Sequence, residues 1–341
     1  MRYLVISDLH SNWEGLQAVL LDAAGKYDQI VCCGDLVGYG ADPNPVVDWV
    51  RSNVIGLVRG NHAVVGFDPS ADARKLAGTK GVATADSLAG LVEALSAPRV
   101  VWLMVPAGQI TDDTVNALSS LLSRGDILID GGNSNYHDTL RRAALCAGHG
   151  LGYVDCGTSG GIWGLKEGYS LMIGASEEAM DTLRPIFETL APDKDRGWGR
   201  VGPVGSGHFT KMIHNGIEYG LMQAYAEGFS ILRHKQEFKL DLHQIGEIWR
   251  HGSVVRSWLL DLTVDALGKN PGMDAIAPYV ADSGEGRWTV AEAIELGVPA
   301  PLITLALISR LRSRDAESFS DRLIASMRNE FGGHSVKPEV K

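Results

Sequence analysis

Apolar and polar positions in the first two thirds of the chain alternate between short apolar runs and longer segments with helical spacing. The apolar runs predict buried strands at 3–6, 29–32, 54–58, 64–67, 100–105, 126–130, 151–155 and 169–174. The segments with helical spacing predict helices at 13–24, 45–52, 86–96, 112–122 and 177–190. Strands that alternate with helices favour a mostly parallel sheet covered by helices, so this part is expected to be an α/β domain.

After Gly205 the pattern becomes helical. It predicts helices at 206–233, 240–250, 254–267, 289–296, 300–314 and 318–330. The stretch that precedes them, APDKDRGWGRVGPVGSG, is rich in glycine, proline and charge, which is typical of a domain boundary. We therefore expect an all-α domain to follow the α/β domain.

Length and charge narrow the class of protein. The chain has 341 residues, more than the ~100–200 of a usual single domain, so two domains are expected. Its net charge of −10 argues against general binding of nucleic acid, because such binding needs a positive surface. No apolar stretch reaches the ~18 residues of a membrane span, and the first residues do not resemble a signal peptide. We expect a cytoplasmic protein with reduced cysteines that binds no membrane.

The segment KMIHNGIEYG carries the first candidate chemistry. Lys211, His214, Asn215 and Glu218 follow one another at helical spacings of three, four and seven residues, which places them on one helix face. A solvated polar stripe is the alternative interpretation. The surrounding residues are apolar and rich in glycine, which favours a site: a lysine shielded from water can act as a base and a nearby glutamate as an acid.

Two glycine-rich loops follow predicted strands. They are DGGNSNY at 130–136 and VDCGTSGG at 154–161. Glycines let a ligand approach the backbone closely, and Asn133 and Ser159 offer polar contacts there. Each loop alone is also typical of an ordinary turn.

From about Val64 to Val336 the chain resembles the 6-phosphogluconate dehydrogenases of the short, decarboxylating type. The resemblance rests on seven motifs in order: VVGFDPS, VVWLMVPAG, DGGNSNY, GTSGGIWGL, GSGHFTKMIHNGIEYG, DSGEGRWT and MRNEFGGH. It implies an α/β fold class, with a Rossmann-like, mostly parallel NAD(P)-binding domain at 64–203 and a helical substrate-binding and dimerisation domain at 204–341. The implied reaction is the oxidative decarboxylation of 6-phosphogluconate to ribulose 5-phosphate.

The resemblance also implies residue roles. Lys211 would be the general base and Glu218 the acid that protonates C1, with His214 and Asn215 completing the catalytic set. The sugar phosphate would be held by Asn133, Ser159, Gly160, Gly161, Tyr219, Arg310, Arg328 and His334. The cofactor would be held by Asp68, Val105, Ala107 and Asn133.

Several of these assignments carry alternatives. Asp68 stands where a ribose-binding acid would favour NAD over NADP, but it also suits a turn before Pro69. Arg310 also suits a basic helix end. Longer members of the family have lysine and threonine where this chain has Ser283 and Glu285, so phosphate binding would depend more on arginines. The C-terminal tail is implied to reach the partner's site in a homodimer.

The first 62 residues depart from this resemblance. They lack the GxGxxG turn that meets a dinucleotide's pyrophosphate, so activity is expected to be impaired. Residues 1–62 resemble instead the start of a calcineurin-like metallophosphoesterase through DLHSN, GDLVGYG and GNH. That resemblance implies a fragment at 1–63 that binds divalent metal through Asp8, His10, Asp35 and Asn61, with Asp35 bridging two metal ions.

Three hypotheses follow. The leading one is an NAD(P)-dependent, decarboxylating 6-phosphogluconate dehydrogenase. The second is a metal-dependent phosphoesterase that uses the N-terminal motifs. The third is a pseudoenzyme that binds a sugar phosphate without turning it over.

Overall fold

The computed structural model describes residues 2–6, 12–32, 56–57 and 64–338. The chain divides into two units, Met1–Met212 and Ile213–Lys341. Most of the expected N-terminal fragment 1–63 lies outside the described residues, so its status as a separate unit stays a prediction.

The first unit contains three groups of paired strands. The strands are β1 (Tyr3–Ile6), β2 (Gln29–Cys32), β3 (Gly56–Leu57), β4 (Val65–Gly66), β5 (Ala83–Thr84), β6 (Val100–Leu103), β7 (Ile127–Asp130), β8 (Gly152–Ser159), β9 (Ser170–Gly174) and β10 (Trp198–Gly202). The largest sheet has the order β10-β9-β8-β7-β6, while β1-β2-β3 and β4-β5 form smaller parallel sheets. In the large sheet only the β8–β9 pair is antiparallel. The mixed α/β class and the mostly parallel, Rossmann-like sheet are thus confirmed.

Helices lie between most of the strands in the described part of the chain. They are α1 (Trp13–Ala23), α2 (Ala71–Thr79), α3 (Leu88–Glu93), α4 (Gln109–Leu121), α5 (Tyr136–Gly148), α6 (Gly164–Glu167) and α7 (Glu177–Leu190). Helix α7 has the predicted bounds because its Ser176 cap, which accepts from the Ala179 N–H, begins a strongly amphipathic segment. The core of this unit lies in two apolar clusters that contain, among others, Leu118 and Leu128 in one and Ile173 and Phe187 in the other.

Helix α5 was missed by the sequence pattern. Its buried residues are Thr139, Arg142 and Cys146, while Leu140 and Leu145 on the same helix are exposed. Burial of polar rather than apolar side chains removes the hydrophobic periodicity on which a helix prediction depends. Strand β10 was also missed, because its glycine-rich sequence is typical of a linker.

The second unit is helical, as expected. Its helices are the remainder of α8 (Ser206–His234), then α9 (Leu242–Arg250), α10 (Trp258–Lys269), α11 (Glu285–Glu295), α12 (Pro301–Arg312) and α13 (Phe319–Gly332). Phe229, Leu260, Val264 and Leu267 form one buried cluster, and Tyr219, Ala306 and Leu307 form another. Across the described ranges, no helix combines the length and the apolar character needed to cross a membrane.

Candidate active site

The loops that follow β6 and β7 lie side by side at the carboxyl ends of these parallel strands. Leu103 pairs with Asp130, and the N–H of Gly131 donates to the Leu103 carbonyl over 2.9 Å. A Cβ on Gly132 would stand 2.9 Å from the Val105 carbonyl oxygen, so this close approach of the two loops needs a glycine. The structure therefore places the predicted cofactor residues Val105 and Asn133 on adjacent loops.

The side chains expected to face a ligand on these loops are accessible. Ala107 and Asn133 are exposed, whereas Gly131, Gly132 and Ser134 on either side of Asn133 are buried. The loop after β6 is held by Thr111 of helix α4, whose hydroxyl donates to the Pro106 carbonyl over 2.8 Å. Asn133 is thus exposed, whereas the residues on either side of it in the loop are buried.

The second glycine-rich loop follows β8. Ser159 ends the strand, and Gly160 and Gly161 have φ angles of 144° and 50°, a region that favours glycine. Ser159 is half-buried and Gly161 is exposed. The chain turns here at two glycines, and the predicted Ser159–Gly161 binding segment is partly exposed.

The start of helix α8 is fixed by a buried carboxylate. Asp155, on β8, accepts from the N–H groups of Gly205 (2.6 Å) and His208 (2.8 Å), two donors at the helix start that have no partner within the helix. Burial raises the pKa of Asp155, although the nearby His208 and these N–H donors act in the opposite direction. His208 is itself buried, and its Nδ1 lies 2.7 Å from the Thr139 hydroxyl of α5.

Lys211 lies one turn further along α8, against β8. A Cβ on Gly157 would collide with Cβ of Lys211 and would stand 2.8 Å from the Gly207 carbonyl oxygen. The lysine side chain is only 6% exposed, so it is shielded from water as its expected role as a base requires. Gly157 therefore allows the helix to approach the strand that ends at Ser159.

The four residues of the predicted polar face all lie on helix α8. Asn215 is buried like Lys211, and His214 and Glu218 are half-buried. Nδ1 of His214 lies 3.1 Å from Oδ1 of Asn215 and 3.9 Å from Oε2 of Glu218. Buried polar residues argue against a solvated stripe, because such a stripe would expose these side chains.

In the second unit, two of the predicted phosphate ligands meet. The guanidinium carbon of Arg310 lies 3.5 Å from the centre of the Tyr219 ring, a cation–π contact. Nη1 of Arg310 also donates to the Ala281 carbonyl over 3.1 Å. Among the described residues the buried Tyr219 hydroxyl has no hydrogen-bond partner. Arg310 is therefore more than a basic helix end, since its side chain lies directly over a buried ring.

The two residues that differ from the longer family pattern lie near this ring. A Cβ on Gly286 would collide with the Tyr219 ring, which shows how closely the start of α11 packs against it. Glu285 is buried, and one of its carboxylate oxygens accepts from the Ser283 hydroxyl. Its other oxygen, Oε1, has no partner in the part of the chain that is described.

The remaining predicted ligands are exposed. Asp68 follows β4, and its Oδ1 accepts from the Ser70 N–H over 2.7 Å, so it does form the turn before Pro69 while its carboxylate stays accessible. Arg328 on α13 and His334 after it are exposed. The predicted metal ligands Asp8, His10, Asp35 and Asn61 lie outside the described residues.

Sequence reasoning missed three polar residues that support the site: Asp155, His208 and Arg142. Asp155 and His208 stand inside quoted motifs, VDCGTSGG and GSGHFTK, but neither is an exposed polar residue in a recognisable ligand pattern. Arg142 belongs to the helix that was missed. A possible signal was the aspartate at the end of an apolar strand, since such a buried charge needs a partner.

Comparison with known proteins identifies the family. Residues 53–199 match the family described as the NAD binding domain of 6-phosphogluconate dehydrogenase, and residues 207–326 match its C-terminal domain. The chain belongs to the 6-phosphogluconate dehydrogenase family. It is an oxidoreductase of this type, and its cofactor is NAD(P).

Two relatives of similar length illustrate the match. The NAD(+)-dependent, decarboxylating 6-phosphogluconate dehydrogenase of Haloferax volcanii is 43% identical over 303 residues, 88% of this chain and 97% of that protein. The putative 6-phosphogluconate dehydrogenase YqeC of Bacillus subtilis is 41% identical over 280 residues, 81% of this chain and 92% of that protein.

Solved structures show the same fold. The 6-phosphogluconate dehydrogenase of Plasmodium falciparum has a TM-score of 0.66 at 26% identity, over 99% of this chain and 67% of that one. A 3-hydroxyisobutyrate dehydrogenase of Mycobacterium tuberculosis has a TM-score of 0.58 at 18% identity, over 96% and 99% of the two chains, which shows a shared fold alone.

The first family match overlaps the last of the N-terminal motifs. It begins at residue 53 and so includes GNH, which the sequence analysis ascribed to a metallophosphoesterase. Neither the family matches nor these relatives support that second resemblance.

The accessible groups of the first unit fit a dinucleotide. The Asp68 carboxylate, the backbone around Ala107 and the Asn133 amide each follow a parallel strand, where nucleotides bind in open α/β sheets. Gly108, which precedes helix α4, has a φ of 90° and open space where a Cβ would stand, so a ligand can approach the backbone there. Carboxylate, amide and bare backbone suit the ribose hydroxyls and the carboxamide of NAD(P).

Proposed function

We propose that this chain oxidises and decarboxylates 6-phosphogluconate to ribulose 5-phosphate, with NAD as cofactor and NADP as the alternative. The observation that carries the proposal is Lys211: a buried lysine on a helix that is fixed to β8 by the Asp155 cap and by the close approach at Gly157. The same helix places Asn215 and Glu218 four and seven residues further on, on the same face.

The chemistry follows from these side chains. NAD(P), when bound, would supply the acceptor for the hydride that is removed from C3 of the sugar acid. Lys211, in its neutral form, takes the proton of the C3 hydroxyl, which leaves a ketone beside the carbon that carries the carboxylate. The C1–C2 bond then breaks, C1 leaves as carbon dioxide, and the protonated Lys211 stabilises the enolate oxygen that develops on C3. Glu218 supplies the proton that the former C2 needs to complete ribulose 5-phosphate.

The proposed substrate ligands come from several segments of the chain. Asn133 and the Ser159–Gly161 segment would hold the sugar acid, as would His214 and Asn215. Tyr219 and Arg310 would bind the phosphate, since a guanidinium offers paired donors and a positive charge. Arg328 and His334 would serve the partner subunit, for which their exposure leaves them available.

The second unit also supports the proposal of a homodimer. Leu302, Leu305 and Ile308 follow one another at helical spacing on α12, and all three are exposed, Leu302 by 78%. Ile217 and Leu221 on α8 are exposed as well. Such concentrations of large apolar side chains on a surface are typical of protein interfaces. We expect light scattering to give the mass of a dimer, and Leu305→Asp to shift it to that of a monomer, with exposed Leu76→Asp as the control.

The test of the reaction is the reduction of NAD, and separately NADP, followed at 340 nm with 6-phosphogluconate, for the wild type and Lys211→Met. We expect activity in the wild type and a loss of about 10²–10⁴-fold in the variant, the usual contribution of a general acid–base group. Lys166→Met is the matched control, because Lys166 is exposed and its ion pair among the described residues is with the adjacent Glu167. Equal losses in both variants would contradict the assignment of Lys211.

A pseudoenzyme is the second candidate, and the absence of a GxGxxG turn from the sequence favours it. It predicts that calorimetry detects 6-phosphogluconate binding although neither cofactor is reduced. Absence of 6-phosphogluconate binding would contradict both candidates. The cytoplasmic location stays a prediction.

A further inference from the structure

The most buried cation described in the first unit is Arg142, on α5. Its side chain is 1% exposed and makes four hydrogen bonds in three directions. Nε donates to Asp112 Oδ1 (2.7 Å), Nη1 to Ser134 Oγ (3.0 Å) and Asp130 Oδ2 (3.3 Å), and Nη2 to the Gly108 carbonyl (3.2 Å). We call these five residues the Arg142 network.

The network joins two separate loops. Gly108 ends the loop that follows β6, which carries Val105 and Ala107. Asp130 and Ser134 flank the loop that follows β7, which carries Asn133. One side chain, placed behind both loops on the buried face of α5, therefore bonds to both.

Asp130, one of the acceptors in this network, also accepts hydrogen bonds from other residues. Ser134 donates to Asp130 Oδ2 over 2.7 Å, Tyr153 donates to the same oxygen over 3.3 Å, and the Gly132 N–H donates to Asp130 Oδ1 over 3.1 Å. Asp130 thus binds the middle of its own loop as well as Arg142. The cation is balanced by the carboxylates of Asp112 and Asp130, as buried charges require.

We propose that Arg142 is a positioning residue of the cofactor site, which fixes the loop of Ala107 relative to the loop of Asn133. Binding of NAD(P) follows from the family, whereas the contacts of Val105, Ala107 and Asn133 with it rest on the proposed function. A lysine cannot replace the arginine in this role, because a single ammonium group lacks the planar fork that reaches three directions at once.

The neighbouring residue provides a matched control. Arg141 lies on the same helix and also donates to Asp112. Its side chain, however, is 57% exposed, and it donates as well to Asp138. It contacts neither loop through any described hydrogen bond. Arg141→Lys therefore removes a guanidinium beside Asp112, keeps the positive charge and leaves the link between the loops intact.

The experiment compares Arg142→Lys with Arg141→Lys. NADH affinity is measured by the fluorescence of bound NADH without sugar phosphate, 6-phosphogluconate affinity by calorimetry, and folding by thermal unfolding. We expect Arg142→Lys to keep the fold, because the charge remains, but to bind NADH about tenfold more weakly. Its affinity for 6-phosphogluconate should stay within about threefold, because most of the proposed sugar contacts lie outside the network. Arg141→Lys should match the wild type in every measurement.

Two results would overturn the inference. NADH affinity in folded Arg142→Lys within about twofold of wild type would mean that only the charge matters. A lack of NADH binding by the wild type would mean that no such site exists. If Arg142→Lys does not fold, Ser134→Ala replaces it, since it removes one link and keeps both ion pairs; NADH binding about threefold weaker supports the role, and unchanged affinity overturns it.

The same measurements separate this inference from the proposed reaction. A wild-type protein that binds NADH but neither binds nor oxidises 6-phosphogluconate would contradict the proposed function. The effect of Arg142→Lys on NADH affinity would still decide the role of Arg142.

Discussion

The two units treat their buried polar groups differently. In the first unit, the buried charges of Arg142, Asp130 and Asp155 each have several partners that belong to the loops or helix they support. In the second unit, the Tyr219 hydroxyl and Oε1 of Glu285 are buried without a partner among the described residues. Unpaired buried groups of this kind cost about 1–3 kcal/mol, so proteins usually keep them for a reason.

This difference suggests that buried polar groups have different roles in the two units. In the first unit, Arg142, Asp130 and Asp155 fix the geometry of the protein itself, whereas the buried Lys211 is proposed to act on the substrate and Nε2 of His208 has no partner among the described residues. The polar groups near Tyr219 are instead suited to meet a ligand, beside the Arg310 guanidinium. Substitutions should therefore damage folding or alignment in the first unit and ligand affinity in the second.

Among substitutions that leave the proposed ligands and catalytic groups unchanged, the largest effect is expected at Gly157. An added methyl group in Gly157→Ala would press on Cβ of Lys211 and on the Gly207 carbonyl, so the start of α8 must move. We expect kcat to fall about 100-fold, because a displacement of about 1 Å at a reacting group has effects of this size. The reduction of NAD at 340 nm measures it, together with thermal unfolding.

Gly199→Ala is the control for this substitution. Gly199 lies in β10 of the same sheet, but a Cβ there would meet no atom within 4 Å. Similar losses of kcat in both variants would show that the contact between Gly157 and α8 has no special role.

The next effect concerns Asp126, a buried carboxylate of the first unit. It accepts from the N–H groups of Arg99 (2.7 Å) and Ser123 (2.9 Å) and pairs with the Arg99 guanidinium at 3.1 Å. Burial by itself would raise the pKa of Asp126, but these donors outweigh it and lower the pKa. Asp126→Asn should reduce the free energy of unfolding at pH 7 by about 2–3 kcal/mol, since it removes hydrogen bonds to a charged group.

The pH dependence of this difference has a definite sign. Because the folded pKa lies below the unfolded value of about 3.9, the stabilisation is present above that pH and is lost as pH falls through the folded pKa. Denaturant unfolding of wild type and Asp126→Asn should therefore converge in acid. The exposed Asp138→Asn should change stability by no more than about 0.5 kcal/mol. A constant gap between wild type and Asp126→Asn down to pH 3 would contradict the ionic origin of the effect.

The smallest effects on stability are expected from a pair of tyrosines in the second unit. Tyr219→Phe removes a hydroxyl that has no described partner, so the free energy of unfolding should change by less than about 0.5 kcal/mol. Tyr225→Phe removes a hydroxyl that contacts the Val255 carbonyl and Ser257 Oγ, and should cost about 1 kcal/mol.

Affinity for 6-phosphogluconate should show the reverse order. Tyr219→Phe should weaken it about tenfold, because the hydroxyl is proposed to bind the phosphate, and Tyr225→Phe should leave it unchanged. Calorimetry on both variants decides the matter. Loss of stability with unchanged affinity in Tyr219→Phe would mean that this hydroxyl has a structural partner rather than a ligand.

Much of the site could be predicted from residues that are close in sequence. The spacing of Lys211, Asn215 and Glu218 predicted a helix, and the structure has a helix there. This prediction succeeds because helical periodicity is a local property. The exposed Asn133 and the glycines at 160 and 161 were likewise found from their loop motifs. The direction of β9 against β8 was not predictable, since apolar runs look alike in parallel and antiparallel pairs.

Local patterns in the sequence predicted the alternation of strands and helices apart from elements such as α2, α5 and β10, the change to an all-helical second part, and the spacing of the polar residues on α8. These properties depend on the periodicity of neighbouring residues. Three further features became visible in the folded structure alone: α8 lies against Gly157, Asp155 caps α8, and Arg142 joins two loops. Each of these contacts connects residues 8 to 54 positions apart through burial and hydrogen bonding, and such pairings leave no periodic trace in the chain.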